Sequence, residues 1–247
     1  MTRLFFKRII FFALLMGAAV FLYWNYFVCQ TQFDGHVLKN NKPLIVFDFD
    51  GTIADSWVPI IKIMNKISPE YGFKQIPYAD KDKYRNMELK QTLKGLDVGS
   101  LRLPFVVKRV RKEIQKGILK IKMVPGMKQL LDTLKNQGYN LGIVTSNSVA
   151  NTKKFLQHNN VGSIDFIYSS TCVGDKDKLI KDVIQKSQID PGNIYYVGDE
   201  VRDIEAAQKT GVKSIAVTWG FSSRKLIEQS NPDYLVNDPM DLPKFLN

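Results

Sequence analysis

Cysteine and histidine are scarce, two of each in 247 residues. Cys29 and Cys172 lie far apart, which argues against a disulfide framework, and neither they nor His36 and His158 make the clustered spacing of a zinc site. Internal repeats and low-complexity tracts are missing too, so solenoid and low-complexity architectures drop out. Acidic residues run short in one stretch. Residues 56–123 carry 16 Lys/Arg against 6 Asp/Glu, so they hold +10 of the formal charge of +11 and leave +1 for the rest. What remains is ordinary globular usage, 45% hydrophobic and 24% charged, in a chain long enough for one domain or one domain with an insertion.

The amino terminus holds an uncharged run, IIFFALLMGAAVFLYWNYFV, from Ile9 to Val28. As a helix it would be about 30 Å long, enough to cross a bilayer. We therefore expect a single-pass transmembrane anchor over residues 1–28, with Tyr23, Trp24, Tyr26 and Phe27 at the far interface. A signal peptide cleaved near Gly17-Ala18-Ala19 is the competing reading, although the apolar run continues well past that point. Arg3, Lys7 and Arg8 precede the span, against Lys39 and Lys42 after it. By one charge this places the amino terminus in the cytoplasm and the globular part outside. Residues 29–42 read as a polar tether.

From residue 43 short apolar runs alternate with amphipathic stretches. LIVF (44–47), YNLGIVT (139–145), FIYSS (166–170), IYYV (194–197), SIAV (214–217) and YLV (234–236) read as buried strands. Between them, 127–136, 149–158, 178–187 and 201–210 have helical periodicity, the first and last closed by Gly138 and Gly211. The expected fold is α/β, a doubly wound parallel sheet. More than 90 residues separate the first two strands, far beyond a crossover's needs. Residues 57–123 are mostly helical in pattern and read as a small inserted α-helical cap; residues 43–56 and 124–247 make the core.

Four polar motifs fall at predicted strand ends or helix starts: DFDGT (48–52), TSN (145–147), the lysines Lys176 and Lys178, and GDEVRD (198–203). Ligands in open α/β sheets bind beyond the carboxyl ends of the strands, so the four should converge. Asp48 and Asp50 would share one side of an extended segment, where two like charges need a cation between them or a proton on one.

These pieces, with VFDFDGTIADS (46–56), VPGMKQLLDTLKNQGYNLGIVTSN (124–147), VGDEVRDIEAAQKTG (197–211) and VTWGF (217–221), give the resemblance. From about residue 43 to 247 the chain resembles the haloacid dehalogenase-like (HAD) superfamily, a Rossmann-like α/β core with a helical (C1-type) cap, and is most similar to its phosphoglycolate phosphatase-like members. The resemblance covers nothing of residues 1–42. It implies that Asp48 attacks phosphorus and that Asp50 protonates the leaving oxygen and then activates water. It implies Mg²⁺ held by Asp48, the Asp50 backbone carbonyl and Asp199, with Asp203 as a further ligand. Gly51, Thr52, Thr145, Ser146, Asn147 and Lys176 would bind the phosphoryl group. Relatives usually show glycine then lysine, whereas Gly174-Asp175-Lys176 inserts an acid, and Lys178 is the alternative motif lysine.

Plainer structural roles fit some of these residues: Asp203 as a helix cap or ion-pair partner, and Asp55 and Ser56 as the start of the first inserted helix. The basic run KRVRKEIQKGILKIK (108–122) is either a solvated helix face or an attractor of phosphorylated substrate or anionic lipid. Nucleic acid is not expected, for want of interleaved aromatics. The expected activity is hydrolysis of a small phosphorylated metabolite, phosphoglycolate-like or a sugar phosphate, through an aspartyl-phosphate. A sugar-phosphate mutase and a non-catalytic membrane-anchored binding protein are the alternatives.

Overall fold

A computed structural model of the chain describes residues 31–36, 42–170 and 174–246. The strands are β1 (Thr31–Gly35), β2 (Leu44–Phe47), β3 (Ala54–Asp55), β4 (Lys122–Met123), β5 (Asn140–Thr145), β6 (Phe166–Ser170), β7 (Ile194–Gly198), β8 (Lys213–Val217) and β9 (Tyr234–Val236). The helices are α1 (Trp57–Tyr71), α2 (Lys81–Arg85), α3 (Leu89–Gly95), α4 (Leu103–Gly117), α5 (Met127–Asn136), α6 (Val149–His158), α7 (Lys176–Ser187), α8 (Val201–Thr210) and α9 (Arg224–Glu228).

Every residue of β2 is buried, as a strand covered on both faces requires. Alternation along it sends Ile45 and Phe47 to one apolar cluster, with Leu130 and Leu134 of α5 and Phe155 of α6. Leu44 and Val46 go to the other, with Leu179 and Val183 of α7 and Ala206 and Ala207 of α8. Each such large apolar side chain, fully buried, contributes about 1.5–3 kcal/mol. The sheet runs β1-β6-β5-β2-β7-β8-β9, parallel except for β1. Because β5 and β7 flank β2, the strand order reverses at β2, and a crevice opens beyond its carboxyl end.

Residues 57–117 form four helices with an apolar cluster of their own, built on Ile61, Ile67, Phe73, Ile76, Leu96 and Val106. Glu113 of α4 is buried and accepts from Lys66 of α1 (2.6 Å), Lys116 (2.6 Å) and Arg109, which ties the two long helices together. Residues 81–95 make two helices rather than one. Glu88 and Gln91 form a reciprocal capping box that starts α3 anew.

Three parts of the sequence reading are corrected. The tether is partly strand: Thr31–Gly35 pairs antiparallel with β6, and Phe33 packs on Phe166 and Tyr168 at ring separations of 5.9 and 5.3 Å. One aromatic residue among polar neighbours gave no alternation from which to read it. Asp55 lies in β3, paired with Lys122 of β4, and Ser56, at the N-cap position of α1, makes no side-chain capping bond. The single-pass membrane placement with an extracytoplasmic catalytic domain is also overturned. Among the described residues no helix is long and apolar enough to cross a membrane. The 15-residue helices α1 and α4 reach only about 22 Å at 1.5 Å per residue and carry charge along their length. The run 9–28, from which the anchor was read, and the two cysteines lie outside the described residues. Contact with anionic lipid through the basic run finds no support either, since Arg109, Arg111 and Lys116 within it are engaged inside the protein.

Candidate active site

The backbone of β2 carries one step past its end, where the Asp48 amide donates to the Val197 carbonyl at 2.8 Å. The chain then turns tightly, with the amides of Ile53 and Ala54 both donating to the Phe49 carbonyl. This turn separates the two acids. Asp48 Oδ1 accepts the Phe49 amide (2.7 Å) and Asp48 Oδ2 accepts Lys176 Nζ (2.6 Å), whereas Asp50 Oδ2 accepts Asn147 Nδ2 (2.9 Å). Gly51 sits in the turn at φ 85°, and a Cβ there would stand 2.2 Å from Asp199 Oδ2. Only glycine lets the DFDGT loop lie this close to the GDEVRD loop.

Asp48, Asp199 and Asp203 are buried together, each offering a carboxylate oxygen within 4.8 Å of the others. Lys176, at the start of α7, donates to Asp203 as well as to Asp48. Asp203 Oδ2 also accepts the amides of Asp199 and Glu200, so it both caps α8 and holds Lys176. Asp199 is fixed by Thr52 Oγ1 on one oxygen and the Phe221 amide on the other, each at 2.7 Å. Burial pushes the Asp48 carboxyl up, against the opposing pull of Lys176. It pushes Asp199 up too, with Glu200, Asp203 and Asp48 adding to the rise. For Lys176 burial acts downward, but Asp203 and Asp48 outweigh it and hold the amine well above its ordinary value. Such crowded acids, all oxygen donors with one buried lysine between them, can hold a metal ion.

The TSN motif ends β5 beside this cluster. Thr145 is buried, its Oγ1 accepting the Asn147 amide at 2.9 Å. Asn147 Oδ1 accepts from the Ser148 amide and from Asn151 Nδ2, which fixes the amide that reaches Asp50. Burial raises Asp50; Ser56 and Asn147 oppose that rise. The Ser146 carbonyl accepts two bonds from the Arg111 guanidinium of α4, at 3.0 and 2.6 Å.

The structure thus brings Asp48, Asp50, Gly51, Thr52, Thr145, Ser146, Asn147, Lys176, Asp199 and Asp203 into one crevice. One expectation shifts, and the two candidate lysines part. The Thr52 hydroxyl is spent on Asp199 rather than offered to a phosphoryl group. Lys178, its side chain 73% exposed against 7% for Lys176, bonds Asp175 and stands outside the cluster. The inserted acid is turned aside with it, onto Ser170 and Lys178. Sequence reasoning missed Arg111 and Arg85. Arg111 was one of seven basic residues in its run, with nothing local to single it out. Burial brings its guanidinium down to about 10, against the pull of Asp50. Arg85 of α2 donates to the carbonyls of Thr218 (3.1 Å) and Ser222 (3.5 Å), past β8.

Comparison with known proteins agrees with this geometry. The family model for haloacid dehalogenase-like hydrolase matches residues 45–217. A phosphoglycolate phosphatase of Synechococcus elongatus is 31% identical over 199 residues, covering 80% of this chain and 94% of that protein. One from Aquifex aeolicus is 26% identical, with 83% and 96% covered. The fold matches that of a haloacid dehalogenase-like family protein from Streptococcus pneumoniae, with a TM-score of 0.69, 24% identity, and 83% and 98% of the two chains covered. The chain therefore belongs to the haloacid dehalogenase-like hydrolase family, where it is a phosphatase similar to the phosphoglycolate phosphatases.

Proposed function

We propose that the chain is a Mg²⁺-dependent phosphomonoesterase working through an aspartyl-phosphate on Asp48. The observation that carries this is the Lys176 ammonium lodged between the Asp48 and Asp203 carboxylates, beside the Asp50 carboxyl but not bonded to it. Asp48, its Oδ2 set against the Lys176 ammonium at 2.6 Å, is the nucleophile: its oxygen forms a bond to phosphorus as the bond to the leaving oxygen breaks. Asp50, whose burial favours the protonated form, gives its proton to that leaving oxygen. It then takes a proton from the water that attacks the phosphoryl group, which frees inorganic phosphate and regenerates Asp48. Lys176 offsets the charge that shifts onto the phosphoryl oxygens.

The three-carboxylate group with its excess of negative charge suits a hard, oxygen-seeking cation. Asp48 and Asp199 would hold Mg²⁺, with Asp203 and the Asp50 backbone carbonyl as further ligands. Bound there, it would offset the repulsion between a phosphate dianion and the attacking carboxylate. The helical insert, 57–123, acts as a cap, pinned over the crevice by Arg111 on Ser146 and Arg85 on the loop after β8. The names of the relatives make phosphoglycolate a first substrate to try, with sugar phosphates beside it.

Phosphate release by the purified chain, with Mg²⁺ and a panel of small phosphomonoesters, tests the reading. Asp48→Asn is expected to abolish release from every substrate the wild type cleaves. Turnover by that variant at the wild-type rate would end the proposal.

A further inference from the structure

Between the insert and the ends of β2 and β5 lies a cavity of about 190 Å³. Asp50, Ser146 and Asn147 form its floor. The wall on the insert side is apolar, with Trp57, Ile60 and Met64 from α1, Leu93 from α3, and Val107 and Val110 from α4. Two guanidiniums border it, and each is already engaged: Arg111 on the Ser146 carbonyl and Arg202 on Glu200 at 2.8 Å. The Trp57 indole N–H is buried there without a hydrogen-bond partner.

We propose that this cavity takes the leaving group of the substrate, and that it selects a phosphomonoester whose alcohol is apolar, an arylalkyl or short alkyl group. The inference rests on the phosphomonoesterase reading and narrows its substrate class. Asp50, the proposed proton donor to the leaving oxygen, lies in the cavity floor, so the group attached to that oxygen projects into the cavity. Size limits the group, since an apolar cavity of about 150 Å³ accommodates benzene, so one ring or a chain of about six carbons fills this one. Charge limits it further. A carboxylate on the leaving group, as in phosphoglycolate, would lose its hydration against the apolar wall, where the Arg111 and Arg202 guanidiniums are turned to the Ser146 carbonyl and to Glu200, and the hydroxyls of a sugar would face Ile60, Met64 and Val107. The Trp57 N–H is a donor for one ether or carbonyl oxygen on an otherwise apolar body.

The test uses the full chain with Mg²⁺ and compares kcat/KM for benzyl phosphate, butyl phosphate, phosphoglycolate and a hexose 6-phosphate. All are esters of primary alcohols, so the comparison reads binding of the leaving group more than its intrinsic reactivity. Benzyl phosphate is expected to exceed phosphoglycolate by about 10²-fold, the discrimination an apolar pocket gives through one or two groups. Met64→Lys, which sets an ammonium on the wall, should lower that ratio at least about 10-fold. Val107→Thr, nearly isosteric, should lower it in the same direction should Met64→Lys fail to fold. Equal or better turnover of phosphoglycolate or the hexose phosphate by the wild type overturns the pocket assignment and leaves the phosphatase reading standing. Failure to cleave any of the four, or other phosphomonoesters, overturns the phosphatase reading and the pocket's role with it.

Discussion

Lys176 and Lys178 are two residues apart in sequence and opposite in circumstance. A helix turns about 100° per residue, so two positions along α7 put one amine into the acid cluster and the other into solvent. Lys176→Met leaves Asp48 and Asp203 buried without their shared cation, and is expected to cost about 3–5 kcal/mol in a denaturant melt along with activity. Lys178→Met should stay within about 0.5 kcal/mol of the wild type and keep activity. The opposite pattern would reassign the motif lysine. Asp50→Asn keeps the bond from Asn147 within reach of an oxygen but removes the proton, and is expected to lower kcat about 10²–10⁴-fold. Activated aryl esters, whose leaving groups need less protonation, should lose less. The acids were legible because their chemistry is written in side-chain type and motif spacing. Thr52 and Arg111 were less so, since which partner a hydroxyl or a guanidinium meets depends on segments far away in the chain.

At the scale of elements, the insert is held to itself by Glu113 and to the sheet by two arginines. Hydrogen bonds from Lys116, Lys66 and Arg109 hold the Glu113 carboxyl well below the usual carboxylate range. A depressed folded pKa contributes stability above the unfolded value, about 4.3, and that stability is lost as pH falls toward the folded value. The melting temperature of Glu113→Gln should therefore lie below that of the wild type from pH 8 to about 5, with the gap closing below about pH 4. A gap that is constant with pH would show that Glu113 acts through packing alone. The core strands and helices were legible from apolar runs and stripes, since β2, β5 and β7 are short, mostly apolar runs and α5, α6 and α8 have clear stripes. Two-residue strands such as β3 and β4 are too short to show a period, and β1 exists because an edge was open beside β6.

At the scale of the molecule, the site is an electrostatic imbalance that folding creates. Asp48, Asp199 and Asp203 arrive from two strand ends and a helix start, and folding removes them from water with one buried lysine among them. A cation that binds this group only in the folded state stabilises that state, by about 2.7 kcal/mol at 100 times its dissociation constant. Thermal melts with added Mg²⁺ should rise accordingly, and Asp199→Asn should flatten the response; an unchanged melting temperature in the wild type would remove the metal from this site. Sequence alone determined the α/β alternation, the place of the insertion and the four motifs, because periodicity and residue chemistry are local properties. Tertiary structure alone decided which lysine joins the acids, what Thr52 bonds, where Arg111 reaches, and that the wall facing Asp50 is apolar. These are meetings of segments up to about 150 residues apart, set by how the sheet and the insert pack, and no local pattern along the chain records them.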